Sequence, residues 1–138
     1  MAWSEHPDYR AKQAFIRSLT LPFAGSTHAD RVFVATALHA RYGGAVDDPI
    51  KEPTQQLLDE RATQEARTLG LALRLAYTLC AGTIELLSEL ALSHVGDILR
   101  LDVPSDSSLF VGETVQRRFD AVARSLGVTA VIRQHETR

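Results

Sequence analysis

Apolar residues recur along this chain with two different periods, and the change from one to the other divides it. Ala11, Ala14, Phe15 and Leu19 follow steps of three and four, which predicts the inward stripe of a first helix, opened by His6-Pro7-Asp8 and ended by Pro22 and Gly25. Thr27 is placed to cap a second helix. Its two stripes, Val32, Ala35, Leu38, Tyr42 and Phe33, Ala37, Ala40, cover so much of the circumference that burial on several sides is expected. Gly43-Gly44 stops it. Residues 45–52 form a polar loop holding Asp47-Asp48-Pro49, and Pro53-Thr54 is the predicted start of a long third helix. Leu58, Ala62, Ala66, Leu69, Leu73, Ala76 and Cys80 keep one of its faces apolar. From Leu69 onward it is apolar nearly all round, so that half is expected at the centre of the helical packing. Gly70 costs this helix about 1 kcal/mol relative to alanine, and a neighbouring helix crossing closely there would explain it.

After Gly82 the period changes. A short turn over Thr83 to Leu87 leads to Leu90-Ala-Leu92 and Ile98 to Val103, which flank His94-Val-Gly-Asp97 and predict a β-hairpin with glycine in its turn. A last helix, from about Gly112 to Leu126, turns Val115, Phe119, Val122 and Leu126 inward. Val128 to Arg133 is then a third strand. The expected fold class is α+β, with a helical part over residues 1–82 and a small part of hairpin, helix and strand over 83–138.

Composition narrows the partners more than the fold. At 138 residues with 45% hydrophobic and 23% charged residues, the chain has the balance of a globular domain large enough to bury a core. No apolar run approaches the roughly 18 residues a membrane span needs, and MAWSEHPDYR is not a secretory signal, so a cytoplasmic location without membrane contact is expected. A net charge of -2 gives no reason to expect nucleic acid as a partner. Cys80 has no second cysteine to pair with and reads as a small buried hydrophobe. Of fifteen lysines and arginines only Lys12 and Lys51 are lysine, and the guanidinium fork suits phosphate contacts better than a point charge does.

Three strings taken together resemble one family. They are His6-Pro-Asp-Tyr-Arg10, Ala40-Arg-Tyr-Gly-Gly44 and LGLALRLAYTLCAG over residues 69–82. In that order they resemble the C-terminal helical domain of the exopolyphosphatase and guanosine pentaphosphate phosphohydrolase family, over nearly the whole chain. The resemblance implies an HD-like helical part that contributes polyphosphate binding, dimerisation or regulation to a hydrolase of polyphosphate or guanosine pentaphosphate. It also implies catalysis, with its Mg2+, in N-terminal actin-like domains that would be this chain's partners. No cofactor is expected in this chain, and a homodimer is a further expected assembly. By the same resemblance His6 contributes to a polymer channel, with Arg10 one turn along.

From the residues themselves, anion binding is the more plausible chemistry. His28, Arg31, His39 and Tyr42 fall near one line of the second helix around Ala35, and a shallow polar groove is expected if that line faces out. His39 read alone is equally a satisfied core histidine. Arg74, a cation inside an apolar helix, must pair, snorkel or touch an anion. The expected phosphate-binding set is therefore His6, Arg10, His28, Arg31, His39 and Arg74. Trp3 and Tyr9 are candidate stacking platforms for a base. The alternative reading is a divergent metal-dependent HD-type nucleotide phosphohydrolase. It needs clustered histidines and aspartates, and neither His6/Asp8 nor His28/Asp30 has the spacing that places both members on one helix face. No phosphate-cradling loop, nucleophile elbow or thiol pair is present, and the resemblance implies that this chain carries no catalytic residue of its own.

Overall fold

The computed structural model describes residues 6–80, 84–105 and 112–135, with an α+β fold. The order is α1 (Pro7–Thr20), α2 (His28–Arg41), a 3-10 helix (Pro49–Leu57), α3 (Glu60–Cys80), a second 3-10 helix (Ile84–Glu89), β1 (Ala91–Val95), β2 (Ile98–Pro104), α4 (Glu113–Leu126) and β3 (Thr129–His135). Trp3 lies outside the described residues. The chain forms two compact units, residues 1–71 and 72–138, and the division falls inside α3 rather than after it. Among the described residues no helix is long and apolar enough to cross a membrane.

In the first unit α1 packs on α2, and Ala11 and Phe15 of α1 and Val32, Ala35 and Ala40 of α2 are buried. Burying a side chain such as Phe15 stabilises by about 1.5–3 kcal/mol. Both helix starts are specified locally. The His6 ring accepts from the Asp8 N–H at 3.3 Å. Thr27 and Asp30 form a reciprocal capping box, Asp30 N–H donating to Thr27 Oγ1 at 3.1 Å and Thr27 N–H to Asp30 Oδ2 at 2.8 Å.

The third helix starts later than the proline predicts. Asp48 caps a 3-10 helix that runs through Pro53, Leu58 is extended, and Asp59 then accepts from the Ala62 N–H at 2.7 Å to open α3 at Glu60. Two competing caps so close together cut the expected helix in two.

At Gly70 α3 passes close to the backbone of α2. A methyl group there would meet the Ala37 carbonyl oxygen and come within 2.8 Å of Ala40 Cβ. The second half of α3 is not buried all round, contrary to the expectation from its sequence. Leu75 and Leu79 are buried, whereas Leu73 and Tyr77 are 44% and 59% exposed, because the described residues cover one side of the helix only. Cys80 is half-buried.

The second unit carries a three-stranded sheet in the order β1-β2-β3. β1 and β2 form the antiparallel hairpin, turning at Gly96-Asp97 with Gly96 at φ +57, where a Cβ would be strained. β3 runs parallel to β2, Ile98 opposite Thr129 through Pro104 opposite His135, so β2-α4-β3 is a crossover unit. Leu99, Leu101 and Val103 alternate into the core, joined there by Val115, Phe119, Val122 and Ala123 of α4. Ala123 takes the inward place predicted for Leu126, which is 45% exposed. Arg118 of α4 donates to the Thr78 hydroxyl, which itself donates to the Arg74 carbonyl at 2.8 Å.

Candidate functional site

The line expected on α2 does not face out as a whole. His28 is exposed and Arg31 half-buried, its Nε donating to Ser26 Oγ at 3.3 Å, but Ala35 and His39 point into the core. The reason is the helical period itself: steps of three and four from Val32 lead through Ala35 and Thr36 to His39, and this is the stripe that packs inward. His39 is 1% exposed, with its ring edge-on to Phe15 at 5.9 Å.

His39 Nε2 lies 2.9 Å from Oδ2 of Asp48, itself only 6% exposed, and Asp48 Oδ1 accepts the Ile50 N–H at 3.1 Å. Burial holds the imidazole below the ordinary histidine value of 6.5, and the Asp48 hydrogen bond offsets part of that. Burial pushes the Asp48 carboxyl up, but the hydrogen bonds from His39 and Ile50 outweigh it and hold the group below 3.8. An ionised carboxylate only accepts, so the neutral ring carries its proton on Nε2 and donates it. Gly44 completes the site, since any side chain there would enter the imidazole ring.

The pair sets a pH dependence. With both pKa values lower in the folded chain, the unfolded chain binds more protons and stability falls as the solution is acidified. The loss begins below pH 6.5, where the unfolded histidine protonates, and a second loss follows below 3.8 from Asp48. Each group contributes at most about 1.4 kcal/mol per pH unit. Urea unfolding between pH 7.5 and 5 is expected to show the first loss in the parent chain and a flatter profile in His39→Gln.

The exposed cations gather elsewhere. A groove of about 590 Å3 runs between α1 and α2, and the polar side chains lining it are Tyr9, Arg10, Gln13, Arg17, Ser18 and Tyr42. Arg10 and Arg17 stand seven residues apart on one face of α1, and no carboxylate lines the groove. The Arg41 guanidinium sits 4.9 Å from the Tyr42 ring centre. Of the residues expected from sequence, Arg10 is in this groove; His6 is exposed one turn before it, and His28, Arg31 and His39 do not line it. Arg74 is half-buried in the second unit and is not without a partner. Arg17 and Gln13 escaped the sequence reading. The signal was Arg10 and Arg17 at a seven-residue step, two turns apart on one helix face. Among the described residues no three histidine, cysteine, aspartate or glutamate side chains come together as a metal site would require.

The family model described as exopolyphosphatase, C-terminal, matches residues 1–132. The chain belongs to that family. The match covers the residues of the α1–α2 groove, the buried His39–Asp48 pair and the sheet up to the middle of β3. None of the curated proteins matches the chain.

Proposed function

We propose that this domain holds linear polyphosphate in the α1–α2 groove, as the ligand-binding part of a polyphosphate hydrolase whose bond-breaking residues lie in other domains. The observation that carries the reading is the pair Arg10 and Arg17 in a groove without a carboxylate. Their Cα atoms stand about 10 Å apart along the helix axis, a span that an extended polyanion bridges with several phosphoryl units. Each guanidinium offers a fork of N–H donors, and Gln13 and the Tyr9 and Tyr42 hydroxyls add neutral donors between them. His6, at the start of the same helix, extends the line. Linear polyphosphate is favoured over guanosine pentaphosphate because the two charges lie along a straight helix face rather than converging on one point.

Calorimetric titration with long-chain polyphosphate tests this. Binding is expected to weaken steeply with salt, as for other polyanions that release counterions. The double variant Arg10→Gln/Arg17→Gln is expected to lose affinity about tenfold or more and to flatten the salt dependence, while Arg61→Gln, on α3, changes neither. Affinity unchanged in the double variant would sink the groove as the binding site.

A further inference from the structure

A second, smaller cavity lies in the first unit, and it has the character of a site for one small anion. Its volume is about 100 Å3, and its polar lining is Lys51, Thr36, Thr54, Gln55 and Thr63. Arg67 is outside that lining, one turn beyond Thr63 on α3 and close enough to Lys51 for the two charges to interact. Both cations are half-buried. Lys51 Nζ donates to the Val46 carbonyl at 2.5 Å, which leaves two of its N–H donors for another acceptor. Burial and the neighbouring Arg67 charge push the Lys51 ammonium below its usual value, the Asp48 and Asp47 carboxylates offset only part of this, and burial lowers Arg67 as well. Two cations that repel each other in a partly dry place are an arrangement that an anion relieves.

The threonines add selectivity. Thr36 donates its hydroxyl hydrogen to the Val32 carbonyl at 2.7 Å, Thr54 to Lys51 at 2.9 Å and Thr63 to Asp59 at 2.8 Å. With their protons committed to the backbone, these hydroxyl oxygens have only lone pairs to offer the cavity. A ligand satisfied there must carry negative oxygens for the cations and O–H groups for the threonines. Hydrogenphosphate has both at neutral pH, and sulfate has only the first.

We propose that this cavity binds a single inorganic phosphate ion, its charged oxygens on Lys51 and Arg67 and its P–OH on the threonine oxygens. The proposal is independent of the α1–α2 groove, because the two lining sets share no residue. Thermal melting of the full chain in sodium phosphate and in sodium sulfate at matched ionic strength tests it. Phosphate is expected to raise the melting temperature saturably and sulfate is not. Lys51→Met and Arg67→Gln are each expected to weaken phosphate about tenfold or more, and Thr63→Val to narrow the preference over sulfate. Arg10→Gln/Arg17→Gln is expected to leave it intact, which separates this site from polymer binding. Arg67→Gln keeps a good helix former on α3, so it carries the test if Lys51→Met disturbs its loop. Equal stabilisation by sulfate, or an undiminished phosphate effect in Arg67→Gln, overturns the proposal. So does displacement of phosphate by tripolyphosphate at equal affinity, which would show that the cavity does not select a single ion.

Discussion

Replacing His39 by alanine is expected to cost about 3–5 kcal/mol of folding free energy, the range for leaving a buried charge without its partner. Three losses coincide at this position. Asp48, 6% exposed, is left with a buried charge and, among the described residues, the Ile50 N–H as its remaining hydrogen-bond donor. The edge contact with Phe15 disappears, and the space beside Gly44 becomes a cavity. His39→Gln retains an N–H donor on a shorter side chain and is expected to cost less. Asp48→Ala leaves a buried neutral N–H instead of a buried charge and removes the cap of the 3-10 helix, a cost of about 2–4 kcal/mol. Urea denaturation of the two single variants and the double gives the coupling, expected at about 1–3 kcal/mol for groups in contact. A His39→Ala loss below about 1 kcal/mol would mean that the pair contributes little beyond filling space.

Gly70→Ala is expected to reverse the sign of an ordinary helical glycine substitution. In an open helix interior alanine stabilises by about 1 kcal/mol relative to glycine. At Gly70 the added methyl meets the Ala37 carbonyl oxygen, which belongs to the backbone of α2 and cannot swing aside as a flexible side chain would. The helices must separate, and overpacking of this kind costs about 1–3 kcal/mol, occasionally more. The net result is a destabilised first unit, read as a lower urea midpoint. The slope of the transition should be unchanged, because the unfolded chain exposes nearly the same surface. A midpoint that rises in Gly70→Ala would show that the two helices have room to spare.

Much of this architecture was legible in the chain because it is written in local chemistry. Thr27 with Asp30, Gly96 in the hairpin, Gly127 after α4 and the change from a period near 3.6 to a period of two each act within a few residues. They place α1, α2, α4 and the hairpin close to where the structure has them. Gly70 was legible for a different reason: a costly residue in a long helix signals a close neighbour, and α2 is that neighbour. The start of α3 was misread because Pro53 is compatible with both a 3-10 turn and a first α-helical turn, and the choice fell to the caps Asp48 and Asp59.

What no local pattern contains is the pairing of distant residues. Asp47-Asp48-Pro49 reads as a polar loop, yet Asp48 is a core residue, because its partner His39 lies nine positions earlier on a helix whose inward direction depends on what packs against it. The same packing decided that His39 turns in, away from the polar line, and that Arg10 and Arg17 open into a groove with Tyr42. It decided, too, that β3 joins β2 in parallel, since a strand's own residues carry its alternation but not the direction of its neighbour. The amino-acid sequence by itself determined the elements, the family and the excess of arginine among the cations. The tertiary structure alone decided which polar side chains are closed into the core, as His39 and Asp48 are, and which line an open groove, as Arg10 and Arg17 do, because burial and distance are properties of the packed chain.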